Sequence, residues 1–163
     1  MMILEVDKSL EASKREEILD RIADMDARVF GNSRWGRDAF SENVFNDYDY
    51  LICAVSDAAA GKETGVLGYG LLRCFDDAEV IMIAADPARL REGIGSRILL
   101  SLLKEAAERK AKAVFLEVRE SNLPARAMYQ KAGFTEEGIR RGYYHDPPEN
   151  AVIMKATVQH PAT

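Results

Sequence analysis

Ala85-Asp86-Pro87-Ala88-Arg89-Leu90-Arg91-Glu92-Gly93-Ile94-Gly95-Ser96-Arg97 follows an apolar, strand-like run and opens a long amphipathic stretch. In that context it reads as a phosphate-binding turn. Gly93 and Gly95, one residue apart, let the backbone approach a ligand without Cβ interference. The N–H groups of a first helical turn have no intrahelical acceptors and can serve an anion. A dinucleotide-binding turn asks for a third glycine where Ile98 stands, and a nucleotide-triphosphate loop asks for Lys-Ser or Lys-Thr after its last glycine. Both are excluded. A pyrophosphate-bearing cofactor of another kind remains, beside an ordinary helix start whose glycines serve packing.

Outward from this turn the chain switches between two periodicities. Residues 2–6 read as a short strand. Ile18, Leu19, Ile22, Met25 and Val29 share one face of a helix that starts at a capping box, Ser13-Lys14-Arg15-Glu16, and ends near Phe30. The segment from Gly31 to Gly36 breaks it, and a second short helix over 38–45 turns Phe40 and Val44 inward. Residues 50–55, 66–75 and 80–84 predict an antiparallel meander, joined by a turn-rich segment over 58–65 and by Asp76-Asp77. Ile94, Ile98, Leu99, Leu102, Leu103 and Ala106 predict a helix over 93–110, followed by a strand over 113–118 and hence a crossover connection. Asn122-Leu123-Pro124 starts another helix, with Ala127, Met128 and Ala132 inward and Gly133 as its stop. Strands over 139–144 and 151–157 close the chain around His145-Asp146-Pro147-Pro148.

At 163 residues the chain suits one domain that buries its core without disulfides or metal. Cys53 and Cys74 lie inside apolar runs, without C-x-x-C or His-rich spacing, and are expected as core thiols. No run of eighteen apolar residues occurs, so a soluble, cytoplasmic protein is expected, away from membranes. With 22 Lys and Arg against 27 Asp and Glu, the net charge of −5 disfavours nucleic acid and suits a basic peptide or amine. His145 beside Asp146 has no nearby nucleophilic Ser or Cys and gives no support to a hydrolase triad.

A second constellation carries more chemistry: Glu117-Val118-Arg119-Glu120-Ser121-Asn122, then Ala127-Met128-Tyr129-Gln130-Lys131-Ala132-Gly133-Phe134. With the glycine turn it resembles the GNAT N-acetyltransferases, whose acyl-coenzyme A turn reads Gln/Arg-x-x-Gly-x-Gly/Ala at the same strand-to-helix junction. The resemblance covers most of the chain, from about Ile18 to Val152. It implies an α/β (α+β) fold in a single domain over 1–163, with a mixed, mostly antiparallel sheet of six to seven strands splayed at the middle and about four flanking helices. It also implies an acyl-coenzyme A core at about 78–134 and acceptor elements at about 30–50 and 138–150. One departure is Leu90, where the family has Gln or Arg; Arg89 and Arg91 flank it, and the phosphate contacts there are largely main-chain.

The same resemblance implies acetyl-coenzyme A as donor and no metal. Main-chain N–H groups near Ile83 or Ala84 would polarise the acetyl carbonyl. Arg89, Leu90, Arg91, Glu92, Gly93, Ile94, Gly95 and Ser96 would meet the pyrophosphate, and Asn122 the pantetheine unless it is only a helix cap. Glu117 would take the acceptor's proton, directly or through water. Tyr129, beside the cofactor, would donate to the leaving sulfur, and Trp35, Tyr143 and Tyr144 would contact the acceptor. Each has a plainer alternative: a salt-bridged Glu117, a packed Tyr129, and cross-strand packing for the tyrosine pair. Glu42, Asp47 and Asp49 could attract a basic residue of the acceptor peptide, with a solvated charged loop as the plainer expectation. Leu116-Glu117-Val118-Arg119, Ala127-Met128-Tyr129, Arg140-Arg141-Gly142-Tyr143-Tyr144 and the approach from Trp35 to Phe40 are most similar to family members that acetylate a protein N-terminus, that of a ribosomal small-subunit protein beginning with alanine. A lysine side chain or small-molecule amine as acceptor, and a non-catalytic acyl-coenzyme A-binding module, stay open.

Overall fold

Leu51-Ile52-Cys53-Ala54-Val55 is an apolar run with no polar alternation, the pattern of a strand covered on both faces. In the computed structural model, which describes residues 1–56 and 65–160, all five are at most 2% exposed. They belong to β2 (Asp49–Val55), which pairs antiparallel with β1 (Met2–Glu5) and β3 (Val66–Cys74); β4 (Ala78–Ala85) continues the antiparallel order. The chain crosses through α3 (Ile94–Glu108) to β5 (Ala113–Arg119), which runs parallel to β4. After α4 (Leu123–Lys131), β6 (Thr135–His145) and β7 (Pro148–Thr157) complete a seven-stranded sheet in the order β1-β2-β3-β4-β5-β7-β6. The expected meander and crossover are both present.

The junction of β4 and β5 is short. Only residues 78–80 pair with 114–116. Ile81 is an extra residue between the pairs Leu72↔Val80 and Leu71↔Met82, and such a bulge bends its strand. Beyond it the two strands part, which opens the middle of the sheet.

Each sheet face carries its own core. On one, α1 (Ala12–Phe30) and α2 (Arg37–Val44) bring Ile18, Leu19, Ile22 and Phe40 against Tyr69 and Leu71. On the other, α3 and α4 pack Ile98, Leu99, Leu102 and Tyr129 against Val114, Leu116 and Met154. Gly68 and Gly70 on β3 let α3 lie directly on the sheet. A Cβ at Gly68 would stand 2.7 Å from the Ala84 carbonyl oxygen, 2.8 Å from Ile94 Cγ2 and 2.9 Å from Ile98 Cδ1; one at Gly70 would meet Ile98 Cγ2.

Several local expectations change. The first helix is capped by Glu11, whose carboxylate accepts from the Ser13 and Lys14 N–H groups at 3.0 Å each, and Ser13 bonds that carboxylate instead of forming the capping box. In α4, Ala127 is exposed; its inner face is Ala125, Met128, Tyr129 and Ala132, the i, i+3, i+4, i+7 set. β6 begins at Thr135, four residues earlier than its apolar pattern suggests, because a mostly exposed edge strand needs no alternation. Asp49 is buried, not part of a solvated loop, and Arg73 holds it through bonds of 2.7 and 3.0 Å. The turn expected over 58–65 lies, apart from Gly65, outside the described residues. Cys53 and Cys74 are buried free thiols. Among the described residues no helix is long and apolar enough to cross a membrane.

Candidate active site

Three elements converge where β4 and β5 separate. At the end of β4, Asp86 caps a short 3₁₀ turn, Pro87–Arg89, by accepting from the Ala88 N–H at 3.0 Å. Arg91 (φ +69°) and Gly93 (φ +76°) then take left-handed conformations, which reorient successive N–H groups before α3 starts. No side chain caps α3, and its first internal bond runs from Arg97 N–H to the Gly93 carbonyl at 3.1 Å. The N–H groups of Ile94, Gly95 and Ser96 therefore point out of the helix start, where the helix dipole favours negative charge. A Cβ at Gly93 would meet nothing within 4 Å, so the turn can be approached closely and fits a diphosphate. Arg89 pairs with Glu92 at 3.4 Å, while Leu90 is exposed and offers no charge.

The opened edge of β4 supplies the second element. Asp86 N–H donates to the Leu67 carbonyl on β3 at 2.8 Å. Strand alternation then turns the Ala84 N–H toward β3 as well, and the Ile83 N–H toward the gap where β5 no longer pairs. Of the two expected carbonyl-polarising amides, Ile83 is the one aimed into the opening. Asn122 caps α4, its Oδ1 accepting from the Ala125 N–H at 3.3 Å.

The third element is a group of polar side chains on the β5 side of the opening. Glu117 on β5 accepts from Arg140 on β6 at 2.7 Å, with its side chain 17% exposed. Interaction with the same carboxylate, then burial, raises the Tyr143 phenol above its ordinary value. Tyr143 packs edge-on to Tyr144, ring centroids 5.1 Å apart, and Arg119 sits 4.2 Å over the Tyr144 ring. Burial, then Tyr143 and Glu117, push the Tyr144 phenol up to about 12. Tyr129 lies on the inner face of α4; burial and then Tyr144 push its phenol up to about 12. Tyr144 is thus in electrostatic reach of both Glu117 and Tyr129.

Two loops border this group. Asp26, fully buried in α1, accepts from the Tyr69 hydroxyl at 2.8 Å and from the N–H groups of Trp35 and Gly36 at 2.7 and 3.0 Å. That fixes the α1–α2 segment and its half-exposed Trp35. Arg119 bonds the Pro147 and Asp146 carbonyls at 2.9 and 3.2 Å and pairs with Glu149 at 3.3 Å, which fixes the β6–β7 turn. Asn32 reaches Asp146 at 3.5 Å, so the two loops touch. The motifs contain Arg119 and Arg140 but assign neither of them these contacts; Asp26, an acid on the apolar face of α1, is the one signal of its role that the sequence carries.

An uncapped helix start beside a parted parallel strand pair can hold a diphosphate and leaves a strand edge open next to it. Residues 19–134 match the acetyltransferase (GNAT) family, and the chain belongs to that family, as an acetyl-coenzyme A-dependent N-acetyltransferase. The [ribosomal protein bS18]-alanine N-acetyltransferase of Escherichia coli K12 is 43% identical over 123 residues, 74% of this chain and 78% of that protein. The N-alpha-acetyltransferase RimI of Mycobacterium tuberculosis is 33% identical over 136 residues, 83% of this chain and 84% of that protein. The crystal structure of the ribosomal-protein-S18-alanine N-acetyltransferase from Escherichia coli superposes with a TM-score of 0.75 at 27% identity, covering 99% of this chain and 96% of that one.

Proposed function

We propose that the protein acetylates the α-amine at a protein N-terminus by direct attack with both substrates bound, and that its acceptor is the alanine N-terminus of ribosomal protein S18. The single observation that carries this reading is Glu117 on β5, one residue beyond the last β4–β5 pair, held by Arg140 at 2.7 Å beside the packed Tyr143–Tyr144 pair. An α-amine of pKa about 7.7–8.0 is roughly one-tenth neutral at pH 7, whereas a lysine amine at about 10.4 is neutral only a few times in ten thousand. A base has correspondingly less to do for an N-terminus. In this reading Glu117 accepts the ammonium proton, directly or through water, while Arg140 and Tyr143 keep its carboxylate oriented. The Ile83 N–H polarises the acetyl carbonyl, and the amides of Gly93, Ile94, Gly95 and Ser96 hold the diphosphate. Bound acetyl-coenzyme A supplies the thioester.

Tyr129 has a narrower role than a free tyrosine would. A phenol at about 12 stays protonated throughout the neutral range and is a weaker acid than a thiol of about 8.5, so Tyr129 stabilises the departing thiolate by hydrogen bonding without surrendering its proton. Trp35, Tyr143 and Tyr144 border the acceptor. A peptide copying the S18 N-terminus is expected to be acetylated on its α-amine. Tyr129→Phe is expected to lower kcat about a hundredfold with the melting temperature and acetyl-coenzyme A KM preserved. Unchanged kcat would remove Tyr129 from the mechanism, and activity confined to lysine or small-molecule amines would end the N-terminal reading.

A further inference from the structure

We propose that the acidic, aromatic surface running from Glu79 and Phe115 to the foot of α2 holds Lys or Arg side chains of the acceptor chain downstream of its acetylated end. The proposal rests on the N-terminal reading above and names a substrate class within it. Two clefts of about 840 and 860 Å³ share Tyr48 as a common wall. The second is floored by Glu79 and Phe115. Phe115 lies on the sheet face of Glu117, two residues and about 7 Å along β5, so an extended acceptor whose amine meets Glu117 reaches this surface within its first few residues.

Phe45, Tyr48 and Phe75 stand 59, 55 and 63% exposed along it, with the Tyr48 and Phe75 rings 4.8 Å apart. Open rings grouped in this way mark a contact surface. Acidic groups without an ion-pair partner stand among them. Among the described residues, Glu42, Asp76, Asp77 and Glu79 have no ion-pair partner, and the arginine that lines the clefts, Arg73, is already engaged by buried Asp49. Burial, and Glu117 behind it, push the Glu79 carboxyl above its ordinary value, a cost that an arriving cation relieves. Rings on this side already hold cations: Arg15 lies 5.4 Å from the Phe45 centroid and Lys155 5.4 Å from that of Phe115. Acidic charge and open rings together select basic side chains over apolar or acidic ones.

The test uses three fluorescent peptides with the same first two residues, followed by lysines, alanines or glutamates, and the protein saturated with coenzyme A. Anisotropy at 50 mM NaCl is expected to give a Kd for the lysine peptide at least about fivefold below that of the alanine peptide, with the glutamate peptide weakest. The difference closes at 500 mM NaCl, and the E42Q/D76N/D77N variant loses it. Equal binding of all three peptides, or a preference that survives in the variant, overturns the proposal. So does a dimer in sedimentation that the variant dissolves, since the surface then belongs to a second copy of the chain. Mass spectrometry of the same mixtures with acetyl-coenzyme A separates the two readings. Failure to acetylate any peptide removes the N-terminal reading, whereas equal KM for all three removes only this one.

Discussion

Replacing Gly68 by alanine tests how the sheet positions the cofactor turn. A glycine inside a strand is worth roughly 0.5–1 kcal/mol less than alanine, so a Gly→Ala change at an open strand position is stabilising. Gly138 on β6 is such a position: a Cβ there meets nothing within 4 Å. At Gly68 the sign reverses. The new methyl would stand 2.7 Å from the Ala84 carbonyl oxygen, a main-chain atom tied into the β3–β4 ladder, so relief must come from Ile94 and Ile98 at 2.8 and 2.9 Å. Both side chains belong to α3, and Ile94 is its first residue. Overpacking of this kind costs about 1–3 kcal/mol, which leaves a net loss of up to about 2.5 kcal/mol after the strand gain and a melting temperature lower by up to about 10 °C. Because α3 lifts at its N-terminal end, the amides of Ile94, Gly95 and Ser96 shift with it, and coenzyme A affinity falls severalfold. Thermal melts and calorimetry with coenzyme A, run in parallel on Gly68→Ala and Gly138→Ala, read both effects. A Gly68→Ala protein that melts no lower than Gly138→Ala and binds coenzyme A as the parent does would refute the reasoning.

Three further outcomes follow from the geometry. Asp26→Ala strands the buried Tyr69 hydroxyl and two part-buried N–H groups and should cost about 3 kcal/mol or more in urea unfolding, against about 1–2 kcal/mol for Tyr69→Phe, which removes one of three donors; equal losses would contradict a shared carboxylate. Arg119→Met frees the β6–β7 turn from both carbonyls and from Glu149, and is expected to raise acceptor KM severalfold with coenzyme A affinity unchanged; the opposite split in steady-state kinetics would count against it. Burial raises Cys53 from 9.0 to about 12 and Tyr50 from 10.0 to about 12, so the folded state favours their neutral forms. That stability is fully present below pH 9 and is lost as pH rises toward 12; a urea midpoint that stayed level from pH 8 to 11 would exclude it.

What the sequence discloses tracks how local the determining contact is. The glycine turn, Asn122 as a helix cap, the strand of Glu117 and the helix of Tyr129 each depend on neighbours within a few residues, and so each left a motif. The cap at Glu11 escaped because glutamate is a poor N-cap by preference, although its longer carboxylate reaches the same two amides. Arg140 and Glu117 are 23 residues apart, Tyr69 and Asp26 are 43 apart, and each meeting is made by sheet or helix packing alone.

This division has a functional meaning. The donor side is built from contiguous backbone, the turn at residues 85–97 and the parted edge of β4, so a small pattern suffices to specify it. On the proposed reading the acceptor side is built from side chains brought together across α1, α2, β5, β6 and the β6–β7 turn, where Asn32 meets Asp146 and Arg140 meets Glu117. A change of one residue in any of those elements alters the acceptor groove without touching the donor turn. Chains sharing the turn can therefore accept different amines, and on the reading proposed above the choice of acceptor follows Asp26, Arg119, Arg140 and the open rings beside Glu79 more than the glycines.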